Sequence, residues 1–183
     1  FHARKAISLV ELTLTLSLAA IVVFNAIRAY SAARENSLIV QTSAEIAQAR
    51  SLVETFYAAR GDYQGVSASL LTLHMPVQFI NADGSIGNPF RGLLGVLPDT
   101  SGSAAADSFT IAVTNIPRAA CIRLAGMDQG RSLAQVLITA NGGVTAATSG
   151  FNMLNGAPIA DILAGCSGDQ NAIAYRFGPP TAP

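Results

Sequence analysis

Few side chains in this 183-residue sequence are equipped for acid–base, nucleophilic or metal chemistry. The histidines are His2 and His74 alone, and His74, beside Met75 and Pro76, reads as a partly buried loop side chain. No GxSxG elbow, metal-ligand cluster or phosphate-cradling glycine loop occurs, so no catalytic, cofactor or metal residue is expected and the chain does not read as an enzyme. The run Asp83 to Asn88 (DGSIGN) has the outline of a calcium loop but lacks oxygens at alternate positions, and a polar turn fits it better. Cys121 and Cys166 are too far apart for a redox CxxC pair. One residue stands out. Glu11 is a carboxylate inside the otherwise apolar run Ile7 to Ile27 (ISLVELTLTLSLAAIVVFNAI). An unpaired carboxylate there costs several kcal/mol, so its chemistry is ion pairing. Arg4 lies seven residues upstream, within reach of long side chains across two helical turns, and Lys5 is its neighbour. The alternative is an acid that snorkels at the helix start.

The element that must carry Glu11 is legible from composition. Only 12% of residues are charged, half are hydrophobic, and the formal charge is zero. Soluble domains carry about 25% charged residues. A strongly basic nucleic-acid surface and a disordered acidic tail are thereby excluded, leaving a chain that meets lipid or packs against itself. The charge is also sorted. All four glutamates precede residue 61, whereas every aspartate and all 16 glycines and 8 prolines follow residue 60. Glutamate suits helix interiors; aspartate, glycine and proline suit caps and turns. Residues 7 to 60 therefore form one helix without a breaker, stopped at Gly61-Asp62.

That helix has two halves. Residues 7–30 are long enough to cross a bilayer, with Arg4 and Lys5 before them and Arg28 within, which suggests a cytoplasmic N-terminus and export of the remainder. Residues 31–60 are amphipathic: Leu38, Ile39, Ile46, Ala49, Leu52, Val53 and Phe56 recur at three- and four-residue steps, with Arg34, Glu45, Arg50, Glu54 and Arg60 largely between them. This half is expected to dock on a globular head, residues 61–183, from which the first half protrudes. A cleaved secretory signal fits poorly, because the apolar stretch is too long and has no small-residue cleavage site at its end.

The segment Arg4-Lys5-Ala6-Ile7-Ser8-Leu9-Val10-Glu11-Leu12 resembles the class III signal of type IV pilins. In that family a prepilin peptidase cuts after a small residue preceded by basic residues, and a glutamate stands fifth after the cut. The resemblance places the cut between Ala6 and Ile7 and puts Glu11 fifth. Asn88-Pro89-Phe90-Arg91-Gly92, Arg118-Ala119-Ala120-Cys121-Ile122-Arg123-Leu124-Ala125, and Cys166 with Ile173-Ala174-Tyr175-Arg176-Phe177 look like the type IVb, bundlin-like class. The resemblance implies an α+β type IV pilin fold: a long N-terminal helix packed on an antiparallel sheet head with short helices and one disulfide. It implies a major subunit that sits in the inner membrane and then polymerises into an extracellular helical filament. Such filaments serve adhesion, aggregation, motility or conjugal contact. Leu9, Leu12, Leu14, Leu16, Leu18, Ile21, Val22 and Phe24 become filament-core residues, and Glu11 pairs with a neighbour's amine or with Arg4 or Lys5. The implied partners are other copies of the chain, the peptidase, and an inner-membrane platform with a separate ATPase; nucleic acid is not the main ligand. Residues 1–6 are either an uncut leader or a retained extension. Unlike many pilins, this chain has no glycine or proline in its apolar half, so its helix is expected to be more continuous, with Thr13, Thr15 and Ser17 as its weakest points.

In an exported domain Cys121 and Cys166 are expected to form a disulfide, the alternative being two buried thiols. Within the head, short helices are expected near Ser67 to Leu73, Pro117 to Leu124 and Ala157 to Ala164. Strands are expected at Leu93 to Val96, Phe109 to Ile116 (alternating, hence half-buried), Leu133 to Ala140 and Asn171 to Phe177. Asn141-Gly142 signals a hairpin into Val144, and the tail Pro179 to Pro183 cannot continue a sheet. Two other readings share the N-terminal features: a secretion-system pseudopilin or minor pilin, and a single-pass anchored binding domain.

Overall fold

A computed structural model describes residues 9–99, 107–130, 132–140, 149–152 and 159–178. The Arg4, Lys5, Ala6 and Ile7 calls, the Asn141-Gly142 turn into Val144, the start of the Ala157 helix and the proline tail lie outside the described residues. The chain divides after Ser37 into two compact units. Helix α1 (Leu9–Tyr57) is unbroken over 49 residues, as the absence of glycine and proline predicts. Thr13, Thr15 and Ser17 bond back to the carbonyls of Val10, Leu12 and Thr13 at 2.9, 2.9 and 2.7 Å, so their hydroxyls are satisfied inside the helix. The helix stops three residues before the expected boundary. Arg60 N–H bonds to the Tyr57 carbonyl in a closing turn, and Gly61 follows at φ 75°, a conformation glycine adopts without steric cost.

From Leu38 onward the chain folds around one core. Its other elements are α2 (Ala68–Thr72), a 3-10 turn (Val77–Phe79), β1 (Ile86–Gly87), β2 (Leu93–Asp99), β3 (Ser108–Ile116), α3 (Arg118–Ala125), β4 (Leu133–Ala140), β5 (Ser149–Asn152), α4 (Ile159–Gly165) and β6 (Asn171–Phe177). The sheet is antiparallel throughout, in the order β1-β2-β3-β6-β4-β5. The last strand in sequence therefore sits in the middle. Three cross-strand rows build its core face: Phe109–Phe177–Leu133, Ile111–Tyr175–Val136 and Val113–Ile173–Ile138. These side chains share one buried cluster with Ile39, Ile46, Ala49, Val53 and Tyr57 of α1. Burying each such large side chain contributes on the order of 1.5–3 kcal/mol. The rings of Tyr57, Tyr63, Phe109 and Phe177 continue the packing from helix to sheet, with centroids 5.7, 4.7 and 5.3 Å apart in that order.

Four expectations are corrected. Phe56 is 41% exposed, and Tyr57 takes the core position one residue on, with Thr42 also buried. Glu45, assigned to the polar face, is 2% exposed and neither carboxyl oxygen has a hydrogen-bond partner. β3 is more than half-buried: beside the core row Phe109, Ile111 and Val113, its second face has Ser108 and Ala112 buried and Thr110 and Thr114 partly so. His74 is also exposed rather than partly buried, with its ring 4.7 Å from that of Phe56.

Burial of Glu45 pushes its carboxyl up from 4.5 to about 7. The unfolded chain releases this proton near pH 4.5 while the folded chain holds it to about 7, so stability falls as pH rises across that window. The loss at pH 8 is on the order of 3 kcal/mol relative to pH 4. Thermal unfolding of the full chain in detergent should show this slope between pH 4.5 and 7, and Glu45→Gln should flatten it. An unchanged slope in the variant contradicts the assignment.

Candidate assembly site

The residues of α1 before Ser37 present apolar side chains on every side. Leu9, Leu12, Leu14, Leu16, Leu18, Ile21, Val22 and Phe24 are all more than half exposed, as are Val10, Val23 and Ile27. A helix that is hydrophobic all round belongs in lipid or among other helices. This one is long and apolar enough to cross a bilayer. Glu11 stands among these residues, exposed, and among the described residues it has no ion-pair partner. Arg28 closes the stretch with its guanidinium carbon 4.3 Å from the Phe24 ring centre. The structure thus brings Glu11 together with the eight predicted core residues on one helix, and leaves all nine without a partner among the described residues of their unit.

In the globular unit, two of the sequence segments singled out above turn out to be ties. Asn88 is buried; its amide donates to the Thr114 carbonyl at 2.8 Å, and its oxygen accepts from Phe90 N–H (2.9 Å) and Gly92 N–H (3.1 Å). Arg91 has φ 62° in this turn. Asn115, at φ 60° in the irregular part of β3, answers by donating to the Phe90 carbonyl at 2.7 Å. Gly92 abuts the Thr114 carbonyl so closely that a Cβ there overlaps it. The second tie is the disulfide between Cys121 in α3 and Cys166 just past α4, with Cα atoms 5.8 Å apart and both residues fully buried. It closes a segment of 45 residues that spans β4, β5 and α4. Tyr175 reinforces this side by donating to the Leu124 carbonyl at 3.0 Å, and burial pushes its phenol up.

A further polar clamp escaped sequence reasoning. Arg50 pairs with Glu54 at 3.0 Å and donates to the Gln129 carbonyl, while Ser132 Oγ donates to Glu54 at 2.8 Å. Two i, i+4 charges on a helix face signal only a surface pair. Their second partners lie more than 70 residues away in sequence. The DGSIGN run is a turn, as expected: Asp83 accepts from Ser85 N–H (3.0 Å) and Oγ (2.6 Å), which holds its carboxyl below the usual range.

A family model described as Bundlin matches residues 31–178. The chain is similar to the "major structural subunit of bundle-forming pilus" of Escherichia coli O127:H6 (strain E2348/69 / EPEC), 28% identical over 132 residues that cover 70% of this chain and 67% of that protein. The same figures hold for the protein of that description in Escherichia coli O111:H-. Among solved structures the fold is shared with TcpA, a type IV pilin from Vibrio cholerae El Tor biotype, at a TM-score of 0.58 and 16% identity over 78% of this chain and 99% of that one.

Two substitutions test the ties. Gly92→Ala should cost about 1–3 kcal/mol in denaturant unfolding, because the Thr114 carbonyl belongs to a central strand and has little room to retreat. Replacing both cysteines by alanine should cost on the order of 4 kcal/mol by the loop-entropy account. Hydrogen exchange in that variant should quicken first between residues 121 and 166. Uniform loss of protection would mean the bridge acts on the whole unit.

Proposed function

The chain belongs to the bundlin family, and from that membership we infer that it is the major structural subunit of a type IV pilus, an α+β pilin that assembles into an extracellular filament. The observation that carries the reading is the exposed stretch of α1, apolar but for Glu11 and a few small polar residues, in one chain with a bundlin-family globular unit. In the membrane that stretch is solvated by lipid. Lipid tails are as apolar as leucine, so moving the helix into a filament gains little hydrophobic energy. Close packing of Leu9, Leu12, Leu14, Leu16, Leu18, Ile21, Val22 and Phe24 against neighbouring helices supplies the cohesion instead.

Glu11 supplies direction. A carboxylate in a dry core is costly unless paired, so subunits slide until each Glu11 meets a cation. Cleavage between Ala6 and Ile7 by a prepilin peptidase would provide that cation as the new amine of a neighbour; in an uncut chain Arg4 or Lys5 takes its place. A separate ATPase at an inner-membrane platform drives extraction. The role is structural: residues 7–30 serve anchoring and core, 31–60 docking, and 61–183 the filament surface.

Glu11→Ala in the producing cell should leave the membrane level of subunit unchanged and cut sheared filament at least tenfold. Normal filament yield with that variant would sink the pairing role. Intact mass of the sheared wild-type subunit should correspond to a chain that begins at Ile7 if the cut is made.

A further inference from the structure

Glu45 borders a cavity of about 280 Å³ whose walls include Leu38, Gln41, Gln78, Phe79 and Asn81. Among the described residues no other charged side chain lines it. The volume is about nine times a water molecule's share of the liquid. Glu45 is one of its lining residues, and both of its carboxyl oxygens are buried with no hydrogen-bond partner among the described residues. The nearby amides do not serve the acid. Asn81 donates to Ser85 Oγ at 2.9 Å, and Asn88 donates to the Thr114 carbonyl at 2.8 Å. The nearest helical cation with a place on the same turns, Arg50, is committed to Glu54 and Gln129.

We propose that this cavity is a binding site for a single cationic nitrogen group, a primary ammonium or a guanidinium. A buried carboxyl with four unused lone-pair sites calls for N–H donors. A lone negative charge matches one positive charge. Divalent ions need several anionic oxygens, and among the described residues no group of three acidic, histidine or cysteine side chains could hold one. The apolar walls, Leu38 and Phe79, suit the hydrocarbon stem behind such a head group. Entry requires the side chains that cover the acid to move, and of the lining residues Gln78 is exposed and unbranched. Binding is then linked to release of the Glu45 proton, since only the carboxylate form pairs with the cation.

The group can come from a free amine or from an arginine or lysine of a neighbouring subunit. Only the second source rests on the filament reading; the site itself is a property of the folded globular unit. The test is a ¹³C titration of the glutamate side-chain carboxyls of the full chain in detergent micelles. Three chloride salts are compared at equal ionic strength: sodium, ethylammonium and tetramethylammonium. Ethylammonium should lower the Glu45 midpoint by at least one pH unit, a tenfold shift in the proton equilibrium. Tetramethylammonium, which has the charge without N–H donors, should leave it at the sodium value. Glu45→Gln identifies the resonance by its loss; if that variant does not fold, Glu45→Asp moves the signal instead. The same midpoint in all three salts of micellar subunit, together with a protonated Glu45 at pH 6 in assembled filaments, overturns the proposal. An ionised Glu45 at pH 6 in filaments without added amine supports it with a neighbour as the source. A response to ethylammonium in micelles supports it with a free amine, whether or not filaments form.

Discussion

The rest of this structure depends on one constraint: the first half of α1 has no apolar partner in its own unit. Residues such as Leu9, Ile21 and Phe24 stand more than half exposed along a helix with no polar side to turn outward. Water is a poor environment for that surface, so the chain must hold it in lipid or give it to other copies. The absence of glycine and proline before residue 61 suits this. In lipid every backbone group must be satisfied within the segment, which an unbroken helix does. Even the hydroxyls of Thr13, Thr15 and Ser17 are turned back onto helix carbonyls.

The globular unit meets a different demand with the same shortage of charge. It must close a sheet whose central strand arrives last, since β6 joins β3 to β4. Non-local pairing of that kind carries a loop-closure cost before it yields contacts. The disulfide from α3 to the end of α4 lies immediately ahead of β6 and fixes the chain on both sides of its slot. Buried asparagines do work that ion pairs do elsewhere. Asn88 anchors the loop before β2 to β3, and Asn171 donates to the Ile116 and Gly168 carbonyls at 3.2 and 2.8 Å at the start of β6. An amide satisfies backbone groups without the desolvation cost of a charge. Low charge in this unit is thus compatible with a well-specified core.

Much of this was legible in the residues. The sorting of glutamate from aspartate at Gly61 located α1, and the apolar runs located β2, β3, β4 and β6 within a few residues, although β2 extends to Asp99. The pairing of Cys121 with Cys166 followed from export and the lack of other cysteines. What escaped is set by tertiary contact. Periodicity cannot tell Phe56 from Tyr57 when both flank the same stripe, and the Tyr63 ring decides it by packing on Tyr57. Nor does it reveal that Arg50 and Glu54 reach the loop before β4, or that β6 lies between β3 and β4. The short β1 carries no strand signal of its own. It is a two-residue strand held by its partners Leu94 and Leu93.

Glu45 is the instructive failure, because the rule it breaks is the one that made Glu11 conspicuous. Both are single carboxylates set among apolar residues, and one was noticed because its whole surroundings in sequence are apolar. Glu45 has Ala44 and Ile46 beside it but Gln48 and Arg50 close by, so its pattern reads as the wet side of an amphipathic helix. In the fold it lines one cavity with Gln78, Phe79 and Asn81, residues more than 30 positions away in sequence. A helix that merely needed a polar residue there could carry glutamine, which remains neutral and brings its own donor. A carboxyl retained under cover, with its proton held to about 7, changes charge within the ordinary range of pH. A buried acid beside a cavity free of other charges is explained by what it can attract, and that applies to Glu45 in the globular unit as it does to Glu11 on the bare helix.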